Sequence, residues 1–381
     1  MTQANNVAIE SSQINSSGVL QPAGGGTGTA SGVTDFKNRI INGAMVIDQR
    51  NSGASVTNVN GQIFGVDRWK GYGTVASKYT MQQNAGSVTP PIGFTNYWGI
   101  TSSSAYSISS SDYFFLAQPI EGYNIADLGW GTASAKTVTL SFQLYSSLTG
   151  TFGGCLQNSA GTRSYPFTYT ISSANTWTTI SVTIAGDTAG TWLTTNGTGI
   201  WAFFGLGVGS TYSGTAGVWA GANYFSATGA TSVVGTNGAT FYITGVQLEV
   251  GSSATNFAYR SYGTELALCQ RYCTVYSGAS TVGGNGIYMT GFYSGTALRG
   301  SLYFPVSMRT SPSLTSTAGS TFYVQNATAN YTPTSAVTIS TAGTQTAYLV
   351  INYAGAGGTA NICSVLIDAG GASVLTFSAE L

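Results

Sequence analysis

Thr137 to Tyr145 reads TVTLSFQLY, and its side chains alternate: Val138, Leu140, Phe142 and Leu144 fall on one face, Thr139, Ser141, Gln143 and Tyr145 on the other. A period of two with one apolar side is the pattern of a half-buried β-strand that shows hydroxyls to water. The pattern recurs on both sides of it, in Thr178 to Ile184 (TTISVTI), Thr240 to Val246 (TFYITGV), Gly300 to Val306 (GSLYFPV), Ala347 to Tyr353 (AYLVINY) and Val374 to Ala379 (VLTFSA). Gly, Ser and Asn clusters punctuate these runs, as turns between antiparallel strands require. The expected fold class is all-β, built as sandwiches.

One segment departs from this alphabet. Thr264 to Arg271 (TELALCQR) collects helix formers behind a Thr that can cap the helix, with Glu265 in the first turn. A short helical connector over residues 263–276 would divide a larger β domain, 35–262, from a smaller one, 277–381. Residues 1–34 differ again: the Gly-, Ser- and Thr-rich run SSGVLQPAGGGTGTASG has little to bury and reads as an extended arm.

Charge is scarce. Twelve Lys and Arg and twelve Asp and Glu make only 6% of 381 residues, against about 25% in ordinary domains. The zero net charge removes the electrostatic drive for nucleic acid or anionic membrane binding. With no histidine, Ser-His-Asp triads, histidine metal sites and histidine pH switches are excluded. The most apolar run, Ile200 to Val208 (IWAFFGLGV), is far shorter than the roughly 20 residues of a membrane span. No export signal is read at the start of the sequence, so a soluble protein is expected. Cys155, Cys269, Cys273 and Cys363 have no zinc or redox spacing and read as small buried thiols. No cofactor and no metal are expected.

Sheets without Lys or Glu gatekeepers tend to pair edge to edge. A homo-oligomer that covers those edges with further copies of the chain is therefore expected.

Four stretches together resemble phage tail fibre and related virion appendage proteins: Gly25, Gly26, Thr27 and Gly28 in the arm; NRIINGAMVIDQRN from Asn38 with Asp67-Arg68-Trp69; VQLEVGSSATNFAYRSYGTELALCQRY from Val246; and VSMRTSPSLT from Val306 with the closing Ser378-Ala379-Glu380-Leu381. The resemblance implies a jelly roll similar to carbohydrate-binding modules, followed by a smaller C-terminal β-sandwich. It also implies a trimer and a place on the virion, with the arm docked on a phage tail or baseplate protein and the distal loops toward host surface polysaccharide.

Neutral sugars are held by flat aromatic rings and by Asn, Gln, Ser and Thr, without charge. The rings open to this use are Trp69 with Tyr72, Tyr97 with Trp98, Trp130, Trp192, and Trp219 with Tyr224. Tyr97 with Trp98, and Trp219 with Tyr224, lie among Gly, Asn and Thr as exposed loop tips would and are the candidate glycan contacts, while Trp69 reads as core. Asp48, Arg50, Asp67 and Arg68 are candidates for ion pairs between subunits, with pairing inside the chain as the competing use. Asp112, Glu121 and Asp127 are the only close acidic group in a strand-rich region. No fixed-period repeat suggests the β-helix of a depolymerase, so a binding protein, not an enzyme, is expected. A purely structural head or tail decoration protein is the competing reading.

Overall fold

The computed structural model describes residues 37–278, 287–293, 296–325, 330–353, 363–368 and 373–381. The expected arm, with Gly25, Gly26, Thr27 and Gly28, lies outside the described residues. So does the side chain of Cys363.

Two six-stranded antiparallel sheets face each other. The first runs β1 (Val56–Thr57), β4 (Tyr79–Gln83), β5 (Trp98–Ser102), β14 (Thr240–Val250), β7 (Val138–Ser146), β10 (Thr178–Ile184). The second runs β2 (Gly61–Phe64), β3 (Lys70–Gly73), β6 (Tyr113–Glu121), β11 (Thr198–Val208), β8 (Gly150–Asn158), β9 (Ser164–Ile171). Strands distant in sequence neighbour one another in both sheets, which is the all-β jelly-roll arrangement.

The alternation that predicts the strands also builds the core. Val138, Leu140, Phe142 and Leu144 of β7 are all buried. Phe142 meets Phe204 of the opposite sheet edge to face, with ring centroids 5.1 Å apart. Each such fully buried side chain is worth about 1.5–3 kcal/mol. Trp69 and Trp98 fill one end of this core, their centroids 6.0 Å apart. Gly65 lies flat against that indole: a Cβ there would come within 2.3 Å of Trp98 Cζ2.

Between β11 and β14, two short parallel strands, β12 (Ser213–Gly214) and β13 (Ser226–Ala227), belong to a connection that folds over the outer face of the second sheet. Gly153 and Gly205 on that face leave room for Ser226, whose Oγ would stand 2.4 and 2.8 Å from an added Cβ at each.

The predicted helix is present as α1 (Tyr262–Gln270). Its cap is Ser261, not Thr264: the Ser261 hydroxyl accepts the Thr264 backbone N–H at 3.3 Å, which places Thr264 inside the first turn. Beyond it stand a three-stranded sheet, β15 (Cys273–Ser277), β24 (Val374–Ser378), β18 (Ser313–Ser316), and a seven-stranded one. The latter runs β20 (Asn330–Tyr331), β19 (Phe322–Gln325), β23 (Cys363–Asp368), β16 (Ile287–Tyr293), β17 (Ala297–Tyr303), β22 (Thr346–Asn352), β21 (Thr338–Ala342). These sheets enclose a second, smaller apolar core that includes Leu298, Leu349, Leu366 and Phe377. Residues 39–381 nevertheless group as one unit, and polar contacts between the two cores join them.

Candidate functional site

The charged residues that the sequence singles out meet at that joint. Arg50 Nη1 donates to Glu380 Oε1 at 3.1 Å, and Arg68 Nη1 pairs with Glu380 Oε2. Arg68 adopts φ +72°, a left-handed conformation unusual for a side chain of its size. From there its guanidinium stacks 3.5 Å over the Tyr272 ring and donates to the Pro119 carbonyl at 2.6 Å. Asp67 accepts from the Gln49 backbone N–H at 2.9 Å, while Gln49 Nε2 also reaches the Cys273 carbonyl. Asp48 closes a turn by accepting from the Asn51 and Gly53 backbone N–H groups.

Asp48, Arg50, Asp67 and Arg68 all have partners within one chain, the competing use that the sequence left open, and only Arg68 Nε among their side-chain polar atoms is buried without a hydrogen bond. The physical reason is burial: Arg68 and Asp67 are shut off from solvent, so their charges must find partners inside the fold. Burial pushes the Asp67 carboxyl up to about 6, despite the opposing pull of Arg50 and the Gln49 hydrogen bonds. Burial would push Glu380 the same way, but Arg68, Arg50 and Lys70 overcome it and hold its pKa below the usual carboxylate value.

The other described stretches that carry the resemblance also contribute to this joint. The Trp69 indole N–H donates to the Asn42 carbonyl, Asn42 N to Glu265 Oε1, and Arg309 to the carbonyls of Ala379 and Glu380. Arg271 grips Glu121 with two bonds, at 2.9 and 2.6 Å, and Tyr272 adds a third. Three acidic residues considered for catalysis are thus dispersed: Glu121 belongs to the joint, Asp112 accepts from Thr74, Tyr106 and Ser109, and Asp127 from Arg39. Among the described residues no group of three or more Asp, Glu or Cys is placed to hold a metal ion. No helix among them is long and apolar enough to cross a membrane.

The aromatic candidates separate sharply. Tyr97 and Trp98 are completely buried. The Tyr97 hydroxyl donates to the Ala85 carbonyl and accepts from Val88 N, and its ring stacks on Tyr242. Trp98 faces the sandwich core from β5. Neither is the exposed loop tip expected, because the loop-like neighbours of this pair precede a strand whose first side chain points inward. Trp219 is partly exposed, but it joins Trp130, Trp192 and Tyr165 edge to face, and its indole N–H is committed to the Ala185 carbonyl at 2.8 Å. Tyr224 is partly exposed on the connection over the second sheet, where its carbonyl accepts from Gln157. The structure does not bring the four together.

A different aromatic surface is present. On the outer face of the second sheet, neighbouring strands carry Tyr72 from β3, Phe115 from β6, and Trp201 and Phe203 from β11. Tyr72 lies 4.8 Å from Phe115, and Trp201 stacks on Phe203 at 5.6 Å and 11°. Phe225 and Tyr113 pack over Phe115, so Phe115 and Phe203 are buried while Tyr72, Trp201, Tyr113 and Phe225 are partly exposed.

Gln62, exposed on β2, accepts from the Tyr72 hydroxyl at 2.8 Å. Lys70 sits beneath them, donating to Gln62 and to the Leu381 carbonyl, 5.5 Å from the Trp201 ring. Its burial lowers its pKa to about 8, and burial likewise raises the Tyr72 phenol. Of the seven tryptophans, Trp69, Trp130, Trp177, Trp192 and Trp219 donate their indole N–H to a backbone carbonyl, and Trp98 has its own sealed in the core. Trp201 alone combines partial exposure with an indole N–H not spent inside the protein.

Trp201 escapes the sequence reading because IWAFFGLGV looks uniformly apolar. The alternation within it is the available signal: Ile200, Ala202, Phe204 and Leu206 face the core, and Trp201, Phe203 and Gly205 face out.

No family model matches the chain, and no curated relative matches it. Solved structures with some likeness include the enzymatically active domain of bacteriophage CBA120 tailspike protein 4, at 10% identity and TM-score 0.30, covering 58% of this chain and 24% of that one. A family 11 carbohydrate-binding module of a Clostridium thermocellum cellulase matches at 11% identity and TM-score 0.26, covering 53% and 98%. A xylanase 10B fragment from the same organism, complexed with xylohexaose, matches at 14% and 0.26, covering 57% and 31%. At these TM-scores the likeness decides nothing about ligand or activity.

Proposed function

We propose that this chain is a non-enzymatic virion appendage protein of a phage, which binds neutral polysaccharide on the host surface through the Tyr72–Trp201 face. The observation that carries the reading is the partly exposed Trp201 ring with its available N–H, beside the Tyr72 ring and the Gln62 amide. A pyranose can lay its apolar face on such a ring while its hydroxyls exchange hydrogen bonds with the N–H and the amide. Desolvating this face costs little, because its one cation, Lys70, is already buried and bonded. Several copies on one particle would add weak contacts through effective concentration. The virion setting is supported by the sequence resemblance, with the arm as the segment that docks on a tail or baseplate protein.

The test is retention of the purified protein in native gels cast with host surface polysaccharide. Wild type and Trp219→Ala should be retarded, and Trp201→Ala should run freely with an unchanged melting temperature. Equal retardation of Trp201→Ala would reject the site. Failure of wild type to compete with phage for adsorption would reject the receptor role. It would favour a decoration protein, a reading helped by the use of the described family-like stretches in holding the fold together.

A further inference from the structure

The two sheets of the jelly roll have four edges, and three of them are blunted. β1 is two residues long and β2 four. β9 carries Pro166, and residues 217–220 close over it: Ser164 and Ala220 exchange two backbone hydrogen bonds, and Gly217 N donates to the Pro166 carbonyl at 2.9 Å. Short length, proline and cover are the usual devices against edge pairing. β10 has none of these.

Its seven residues, Thr178 to Ile184, pair with β7 in unbroken register from Thr178↔Leu144 to Ile184↔Val138. Six of the seven are β-branched and none is charged. Among the described residues, no backbone hydrogen bond links β10 to anything but β7.

From this edge we infer that β10 pairs with β10 of a second copy, antiparallel and across a two-fold axis through Ser181. The sequence TTISVTI fits itself when turned about its centre. Ile180 then stands opposite Val182 of the partner, Thr178 opposite Ile184, Thr179 opposite Thr183, and Ser181 opposite Ser181. On the core side, where Ile180 and Ile184 are buried and Val182 is half-buried, Ile180 meets Val182 of the partner and Ile184 meets the half-buried Thr178. Hydroxyls meet hydroxyls on the solvent side, where Thr179, Ser181 and Thr183 are exposed. Cross-strand pairs of both kinds stabilise sheets, and no like charges are brought together. The two six-stranded sheets become one twelve-stranded sheet and two open edges disappear. The contact is isologous and closes at two copies, so this edge builds a dimer, not the trimer that the sequence resemblance implies.

Sedimentation equilibrium of the full chain tests it, together with oxidative cross-linking of Ser181→Cys. Directly opposed residues have Cβ atoms about 4.5–5.5 Å apart, so Ser181→Cys should give covalent dimers, and Thr168→Cys on the exposed face of β9 should not. Ser181→Lys and Ser181→Asp, each alone, should weaken association about fivefold or more at low salt. An equimolar mixture of the two should restore it as a mixed dimer. A monomeric wild type at micromolar concentration, a trimer, or a dimer indifferent to both charges would overturn the inference. Because position 181 is exposed, an unchanged circular dichroism spectrum separates loss of pairing from loss of fold.

Discussion

Replacing Glu380 with Gln should destabilise the protein far more than a surface charge change would. Glu380 is nearly buried, its side chain 5% exposed, and it receives Arg68, 1% exposed, and Arg50, 11% exposed. Lys70 lies close enough to help hold its pKa down. The substitution keeps the shape but leaves these cations facing one another with Asp67 as their remaining buried anion. Removing one partner of a buried pair typically costs about 3–5 kcal/mol, whereas an exposed pair contributes about 0–1 kcal/mol.

Urea denaturation of wild type, Glu380→Gln, Arg68→Met and the double variant would measure both the loss and the coupling. The double variant should be more stable than the sum of the single losses predicts, by about 1–3 kcal/mol. A loss below about 1 kcal/mol in Glu380→Gln, with no coupling to Arg68, would refute the buried joint and free these charges for another role.

Asp67 gives the joint a pH signature. Its pKa is raised in the fold, from 3.8 to about 6, so the folded protein holds the proton more tightly than the unfolded chain does. Stability from this group is complete below pH 4 and is lost as pH rises through 6, by up to about 3 kcal/mol. Melting temperature measured between pH 4.5 and 7 should fall for this reason, and Asp67→Asn should flatten the profile. A wild-type profile rising across that window would contradict the assignment. Trp98→Ala should cost about 3–5 kcal/mol in denaturant titrations, as emptying a core site does, while the residual folded protein keeps its polysaccharide affinity. Gly65→Ala drives a methyl into the Trp98 ring and should cost about 1–3 kcal/mol; a neutral effect would show that the indole moves aside freely.

Local pattern made the strands legible. TTISVTI is a strand over the same seven residues, and the run at Thr137 is displaced by one. Period two is written in neighbouring residues, and hydrophobic burial enforces it. The helix was legible too, apart from its cap, because Ser261 and Thr264 both carry a hydroxyl and only the backbone path decides which one accepts. Partners far apart in the chain were not legible: Arg68 and Glu380 are separated by 312 positions, and nothing local to either names the other. Aromatic exposure is hidden from the sequence for a related reason. Tyr97-Trp98 sits among turn residues yet opens a core strand, while Trp201 sits in an apolar run yet faces out. Which side of a strand meets water depends on the sheet it joins.

The proposed binding face is tested most directly by ¹⁹F NMR of protein labelled with 5-fluorotryptophan, titrated with host surface polysaccharide. The seven resonances can be assigned by single Trp→Phe substitutions. The resonance of Trp201 should shift with saturation while the six engaged or sealed indoles stay in place. Movement of Trp219 with Trp201 silent, or no movement at saturating polysaccharide, would contradict the account.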